Sequence, residues 1–244
     1  MQEPLIKVEN LHKWYGSVHA LRGVNFSVNV AECMALIGDN GAGKSTLVKI
    51  IAGFIPMDKG TIYWKGKKVN ISSVKDARKL GIETVYQTQA IVPQLTVAQN
   101  VFLGREEVKA LGPFKFIDEK QMKNKAKKII ESLRLNLPPD REVEFCSGGE
   151  RQGVAIARAM QFDAELVILD EPTTALSVSG VEKVLNFIKR LKGRGVSSIF
   201  ISHSLPQLLK VADRFTIMSH GVVTHVIERE EATEEKLIHL QLQD

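Results

Sequence analysis

The chain has 244 residues, 44% of them hydrophobic, 25% charged and 6% aromatic, a composition that suits a folded globular core and excludes collagen-like, disordered and membrane-spanning classes. Thirty-three basic residues against 28 acidic ones leave a formal charge of +5, a mild bias that reads as solvated surface and not as a nucleic-acid footprint. Two cysteines, Cys33 and Cys146, without a Cys-x-x-Cys spacing or a neighbouring histidine, suggest neither a zinc site nor a disulfide framework and fit a reducing compartment.

The opening Met1-Gln2-Glu3-Pro4 has no basic segment leading into an apolar one, so export is not expected. Strands are predicted at Leu5 to Val8, Val24 to Val28 and Met34 to Ile37, short apolar runs broken by Gly16 and Gly23. Past Gly43 the period changes: Leu47, Val48, Ile50 and Ile51 share one helical face, and Gly53 is placed to stop the helix. Ser73 with Asp76 and then Gly81 brackets a short helix, and Ile82 to Tyr86 reads as the next strand. Asp118 with Gln121 three residues on opens a helix that runs to about Leu133, before Pro138-Pro139 forbids continuation. Its Lys120, Lys123, Lys125, Lys127 and Lys128 read as a solvated face, because no aromatic residues interleave for base stacking.

Strand Leu166 to Leu169 comes next, then a helix from Ser179 with Glu182 at its capping-box position and Gly193 as its stop. Strand Ser198 to Ile201 and a helix carrying Leu205, Leu208 and Leu209 follow. The longest apolar stretches fall far short of the ~18–20 residues that cross a bilayer. Strands alternating with helices predict a parallel sheet covered on both faces.

The strongest chemical signal is Gly38-Asp39-Asn40-Gly41-Ala42-Gly43-Lys44-Ser45-Thr46, a G-x-x-x-x-G-K-[ST] match between a predicted strand and a predicted helix. Glycines let such a loop wrap closely, so that backbone N–H groups and the helix N-terminus face phosphate oxygens. Lys44 then reaches the β- and γ-phosphates, and Ser45 ligates Mg²⁺. A chance match over this length is roughly a 1% event at average residue usage. Leu166-Val167-Ile168-Leu169-Asp170-Glu171 supplies the second acid that a triphosphatase needs at a buried strand's end. Asp170 would hold Mg²⁺ through water, and Glu171 would polarise the attacking water as general base. Ser147-Gly148-Gly149-Glu150-Arg151-Gln152 is a second glycine-rich turn feeding a helix; alone it reads either as a flexible turn or as another phosphate cradle, its nucleotide held by another subunit.

Together these three motifs resemble the ATP-binding subunits of ABC transporters, over essentially the whole chain. The resemblance implies an α/β fold: a P-loop ATPase core with a mostly parallel sheet flanked by helices, an N-terminal antiparallel β part and a helical subdomain. The core would span about residues 1–88 and 162–244, and the helical subdomain with the signature turn about 89–161. It also implies that two copies pair head to tail, with each ATP clamped between the P-loop of one and Ser147, Gly148 and Gly149 of the other. Tyr15 would stack on adenine, where the residues alone also allow a strand-end core aromatic. Gln87 would sense the γ-phosphate, share the metal and link to the membrane partner, and His203 would contact the γ-phosphate, where the residue alone also allows a polar loop histidine.

Cys146, Glu150 and Ser177 depart from the usual Leu, Gln and Asp of the family, the last at a position that meets the opposite subunit. The Ala175-Leu176-Ser177 ending and the stretch from Pro93 to Glu106 resemble the monosaccharide branch of carbohydrate importers. The expected cofactors are ATP and Mg²⁺. The expected partners are a second ATPase subunit, a homodimer being the economical reading, a multi-span permease and, through it, a sugar-binding protein, with no nucleic acid. The expected location is the cytoplasmic face of the inner membrane. The alternative is a soluble ABC ATPase acting on nucleic acid or in cofactor assembly, and a weaker third reading is a nucleotide-binding regulator with little turnover.

Overall fold

A computed structural model describes residues 3–85, 91–111, 113–133, 135–161, 163–174 and 176–242. The first half runs β1 (Ile6–Tyr15), β2 (Val18–Val28), β3 (Cys33–Ile37), α1 (Lys44–Ile51), β4 (Lys59–Trp64), β5 (Lys67–Val69), α2 (Val74–Lys79) and β6 (Ile82–Val85). The middle holds α3 (Val97–Phe102), β7 (Val108–Leu111), β8 (Phe114–Ile117), α4 (Glu119–Ser132) and α5 (Gly148–Met160). The chain closes with β9 (Leu166–Asp170), α6 (Val178–Gly193), β10 (Ser197–Ile201), α7 (Leu205–Leu209), β11 (Arg214–Ser219), β12 (Val222–Glu228) and α8 (Glu234–Leu242).

A six-stranded sheet in the order β12-β11-β3-β10-β9-β6 forms the centre. Its members from β11 to β6 are parallel and β12 is antiparallel at the edge. The short runs at Cys33, Leu166 and Ser197 are buried almost throughout because both faces of the sheet are covered. Alternate residues serve different cores: Val167, Leu169 and Phe200 join a cluster with α3 to α8. Ile168, Ile199 and Leu36 join a second cluster with α1 and the antiparallel sheet β2-β1-β4-β5. The helix-covered parallel sheet of the sequence reading is therefore present, with one face shared between α1, α2 and that antiparallel sheet.

Local signals placed several ends well. The Ser73 side chain accepts from Asp76 N at the start of α2, and Asp118 accepts from Gln121 N at the start of α4, as N-caps do. The start of α6 differs from the expectation at Ser179. Its N-cap is Ser177, whose hydroxyl accepts from Gly180 N at 3.3 Å. An Asp cap would accept the same bond, so Ser177 retains the local function of the residue it replaces.

β1 and β2 are far longer than their apolar runs, because each has one face in the second core and tolerates polar residues on the other. A capping box of Thr96 and Gln99 opens α3, a T-x-x-Q signal at the sequence level. The hairpin β7–β8 also interrupts the expected run of helices, and every residue of β8 is exposed, so no buried face marked it.

Burial pushes the Cys33 thiol up to about 12. Iodoacetamide near pH ~8 is expected to leave Cys33 unmodified in the folded chain and to alkylate it after denaturation, because the thiolate is the reactive species. Mass spectrometry of the native adduct would reveal the opposite.

Candidate functional site

The sheet register gathers the chemistry. Leu36 of β3 pairs with Ile201 of β10, and Ile201 with Asp170 of β9, so the C-terminal ends of three adjacent parallel strands lie level. Ligands of open α/β sheets bind outside such ends. From them issue the loop at Gly38, the carboxylates Asp170 and Glu171, and the segment Ser202-His203.

The loop between β3 and α1 is shaped by glycine. Gly38 has φ +148°, and a Cβ there would lie 2.2 Å from the carbonyl oxygen of Met218. Gly43 caps α1 in the left-handed region, with φ +104° and no side-chain cap bond, leaving the first N–H groups of the helix for an external acceptor. No acidic residue occupies the first turn, which preserves its attraction for anions. Gly38→Ala is expected to destabilise the fold by about 3 kcal/mol. That lowers Tm by roughly 6–12 °C at ~2–4 °C per kcal/mol; an unaltered melting curve would contradict the close approach.

Lys44 is buried, and its ammonium donates to the carbonyls of Gly38 at 2.6 Å and Asp39 at 2.9 Å. Burial lowers its pKa, opposed by the negative charges of Glu171, Asp39 and Asp170. Asn40, Gly41 and Ser45 are exposed, Thr46 is partly exposed and Ala42 is buried. Asp170 is half-buried; burial raises its pKa, the adjacent Glu171 adds to the rise, and Lys44 opposes it.

Glu171 is held in the left-handed region at φ +48°, a conformation that costs a non-glycine residue ~1–2 kcal/mol. Its N–H donates to Ile201 O at 3.0 Å. One carboxylate oxygen, Oε1, lies 2.8 Å from His203 Nε2, and Oε2 accepts from Thr174 Oγ1 at 3.1 Å. Lys44, Asp170, Glu171 and His203 are thus one electrostatic cluster. Thr174 was not singled out in the sequence; a hydroxyl three residues past the strand-end acid was its only signal.

Ser147 caps α5 through a reciprocal box: Glu150 N donates to Ser147 Oγ at 3.3 Å and Ser147 N to Glu150 Oε2 at 2.7 Å. A glutamine at position 150 would accept the same bond. Burial works against ionisation of Glu150, yet the Ser147 bonds and Arg141 outweigh it and hold the carboxyl below its ordinary range. Arg151, a member of the turn to which the sequence alone assigned no role, fastens it by donating to the carbonyls of Cys146 and Glu144.

The turn packs close to the start of α6: Cβ atoms added at Gly148 and Gly149 would meet Leu176 Cδ2 at 3.2 Å and Gly180 Cα at 3.1 Å. Its packing neighbours therefore differ from those of the P-loop, Met218 and Leu21. Tyr15 ends β1 with 47% of its surface exposed and Lys13 Nζ 5.9 Å from its ring centroid, so it is not a core aromatic. Gln87 lies outside the described residues.

Residues 21–174, which carry the loop at Gly38, the Ser147 turn and the Asp170-Glu171 strand end, match the family described as ABC transporter. The chain belongs to that family. Among relatives of this ABC ATPase is the xylose/arabinose import ATP-binding protein of Sulfolobus acidocaldarius, 42% identical over 96% of the chain and 92% of the relative. A ribose import ATP-binding protein of Caldanaerobacter subterraneus subsp. tengcongensis is 40% identical over 98% of the chain. The chain spans about half of that second relative, 48% of its length. A crystal structure of the ADP conformation of an ATP-binding cassette of an ABC transporter superposes with a TM-score of 0.85 at 27% identity, covering 99% of both chains.

Proposed function

We propose that this chain is the ATP-hydrolysing subunit of an importer for a monosaccharide. The carrying observation is the clustering of Lys44, Asp170, Glu171 and His203 at the level ends of adjacent parallel strands beside an open helix N-terminus. The two relatives described above are sugar import subunits, which favours transport over a soluble nucleic-acid or cofactor-assembly role.

Gly38, Asn40, Gly41, Ala42, Gly43 and Thr46 form the phosphate cradle, and Lys44 exchanges its carbonyl partners for the β- and γ-phosphates. Tyr15, exposed at the end of β1, stacks on adenine. Glu171 takes the proton of the attacking water through its carboxylate, and His203 orients that carboxylate and contacts the γ-phosphate. The hydroxyl of Ser45, exposed at the helix start, and the half-buried carboxylate of Asp170 are hard oxygen donors that fit Mg²⁺, with Gln87 as a third. Bound there, Mg²⁺ neutralises charge on the phosphates.

Ser147, Gly148 and Gly149 act on the ATP of a second copy paired head to tail. Within one chain the signature turn and the P-loop have different packing neighbours, and the turn is flanked by Phe145 and Val178, 65% and 80% exposed, apolar surface that a second subunit would cover. The segment 89–161 is the arm that moves with the signature turn. Closing and reopening of this sandwich drives a multi-span permease that receives sugar from a binding protein. Among the described residues no helix is long and apolar enough to cross a membrane, which suits a peripheral subunit on the cytoplasmic face.

The test is affinity purification of the chain from its native membranes in a gentle detergent, with mass spectrometry of what accompanies it. A permease and a sugar-binding protein are expected. Recovery of ribosomes, DNA or soluble assembly factors in their place would overturn the transport assignment.

A further inference from the structure

The hairpin β7–β8 displays apolar side chains on both faces. Val108, Phe114, Phe116 and Ile117 are 55%, 66%, 49% and 55% exposed. The pairing of Val108 with Ile117 and of Lys109 with Phe116 puts Phe114 and Phe116 on one face and Val108 and Ile117 on the other. The phenyl centroids lie 6.4 Å apart. The two strands form a sheet of their own, tied at the base by Asp118 N donating to Glu107 O at 2.8 Å and by Lys125 pairing with Glu107 at 2.5 Å. A two-stranded hairpin alone is marginal in water, and one with both faces apolar is more so.

Charge identifies what covers it. From Arg105 to Lys128 there are eight basic residues and four acidic ones, a surplus of four out of the whole chain's five. Each hairpin face carries one lysine, Lys109 opposite Phe116 and Lys115 opposite Ala110. Lys120 and Lys123 of α4 line the open groove beside Ile117.

We propose that this hairpin is a membrane-surface anchor that inserts Phe114, Phe116 and Ile117 into the interfacial layer of an anionic bilayer while the four lysines meet lipid phosphates. Aromatic and aliphatic side chains among lysines are the composition of interfacial anchors, and lysine stems lie along apolar surface with their ammonium groups at the headgroups. A bilayer can cover both faces of a projecting hairpin at once, whereas a flat protein surface covers one. Nucleic acid is a poorer fit, because base stacking uses aromatic platforms and one face here is aliphatic. None of Lys44, Asp170 and Glu171 takes part, so this inference stands or falls separately from the ATPase reading.

The test is co-sedimentation of the full chain with vesicles of phosphatidylcholine, with and without about one-third phosphatidylglycerol. Binding to the anionic vesicles only, weakened by salt, is expected. The double substitution Phe114→Ser/Phe116→Ser and, independently, Lys109→Glu/Lys115→Glu should each lower it roughly tenfold, with ATP hydrolysis in solution unchanged. All four side chains are exposed, and circular dichroism checks that the variants fold. In Phe114→Trp, the added fluorescence should be quenched by brominated acyl chains. No vesicle binding by the parent chain, binding indifferent to these substitutions or to lipid charge, or an unquenched Trp would overturn the proposal. So would lost capture of a protein or nucleic acid by variants that still bind vesicles.

Discussion

Replacing Glu171 by Gln should lower kcat by about a hundred- to ten-thousand-fold, the range for removal of a general base, while ATP is still bound. The amide keeps the shape of the carboxylate and can still take the Thr174 hydroxyl, now 3.1 Å from Oε2, but it cannot accept a proton from water at neutral pH. The substitution also removes a charge next to Asp170. Glu171 contributes to the raised pKa of Asp170, after burial itself, so its neutralisation favours the ionised Asp170 that a metal-bound triphosphate requires. Loss of turnover with retained binding should therefore let ATP-bound dimers accumulate. Phosphate release measured beside size-exclusion chromatography in ATP reads both effects. Unchanged hydrolysis would remove Glu171 from the mechanism.

Lys44→Ala should weaken ATP binding by roughly thirty- to four-thousand-fold. That range corresponds to the ~2–5 kcal/mol that truncating one partner of a buried charged contact costs, at about 1.4 kcal/mol per decade. Without ligand, the ammonium is bonded to the Gly38 and Asp39 carbonyls, and its burial is offset by the charges of Glu171, Asp39 and Asp170. Alanine leaves both carbonyls without that donor and removes one of the positive charges facing Asp170, beside Lys49 and His203. Some loss of loop stability therefore accompanies the loss of affinity, at about 1–3 kcal/mol. Titration calorimetry with ATP, paired with a melting curve, separates the two. Undiminished affinity in a folded variant would mean that the loop at Gly38 is not the nucleotide site.

What was legible in the sequence shares one property, that it depends on a few neighbouring residues. The loop from Gly38 to Thr46, the apolar strand ending in Asp170-Glu171, the Ser147 turn and the caps at Ser73 and Asp118 are set by spacing, φ/ψ preference and side-chain reach over three to eight positions. The P-loop alone implied a phosphate site, and the three motifs together implied the family. The hairpin β7–β8 was illegible because every β8 side chain is exposed, so the alternation that marks a half-buried strand is absent. The α6 cap was misplaced by two residues because Ser177 and Ser179 are both suitable caps, and only the bond from Gly180 N distinguishes them.

The sequence by itself determined the chemistry available, phosphate binding by a glycine loop with two acids at a strand end, because those residues act through local backbone geometry. Tertiary structure decided how that chemistry is assembled. β3 lies between β10 and β11, more than 150 residues away along the chain, and this order sets Lys44 among Asp170, Glu171 and His203. It also placed the signature turn against Gly180 and left the β7–β8 hairpin in solvent. Strand order and close approach are fixed by the burial of two distant apolar faces against each other, and short-range patterns do not encode which faces meet.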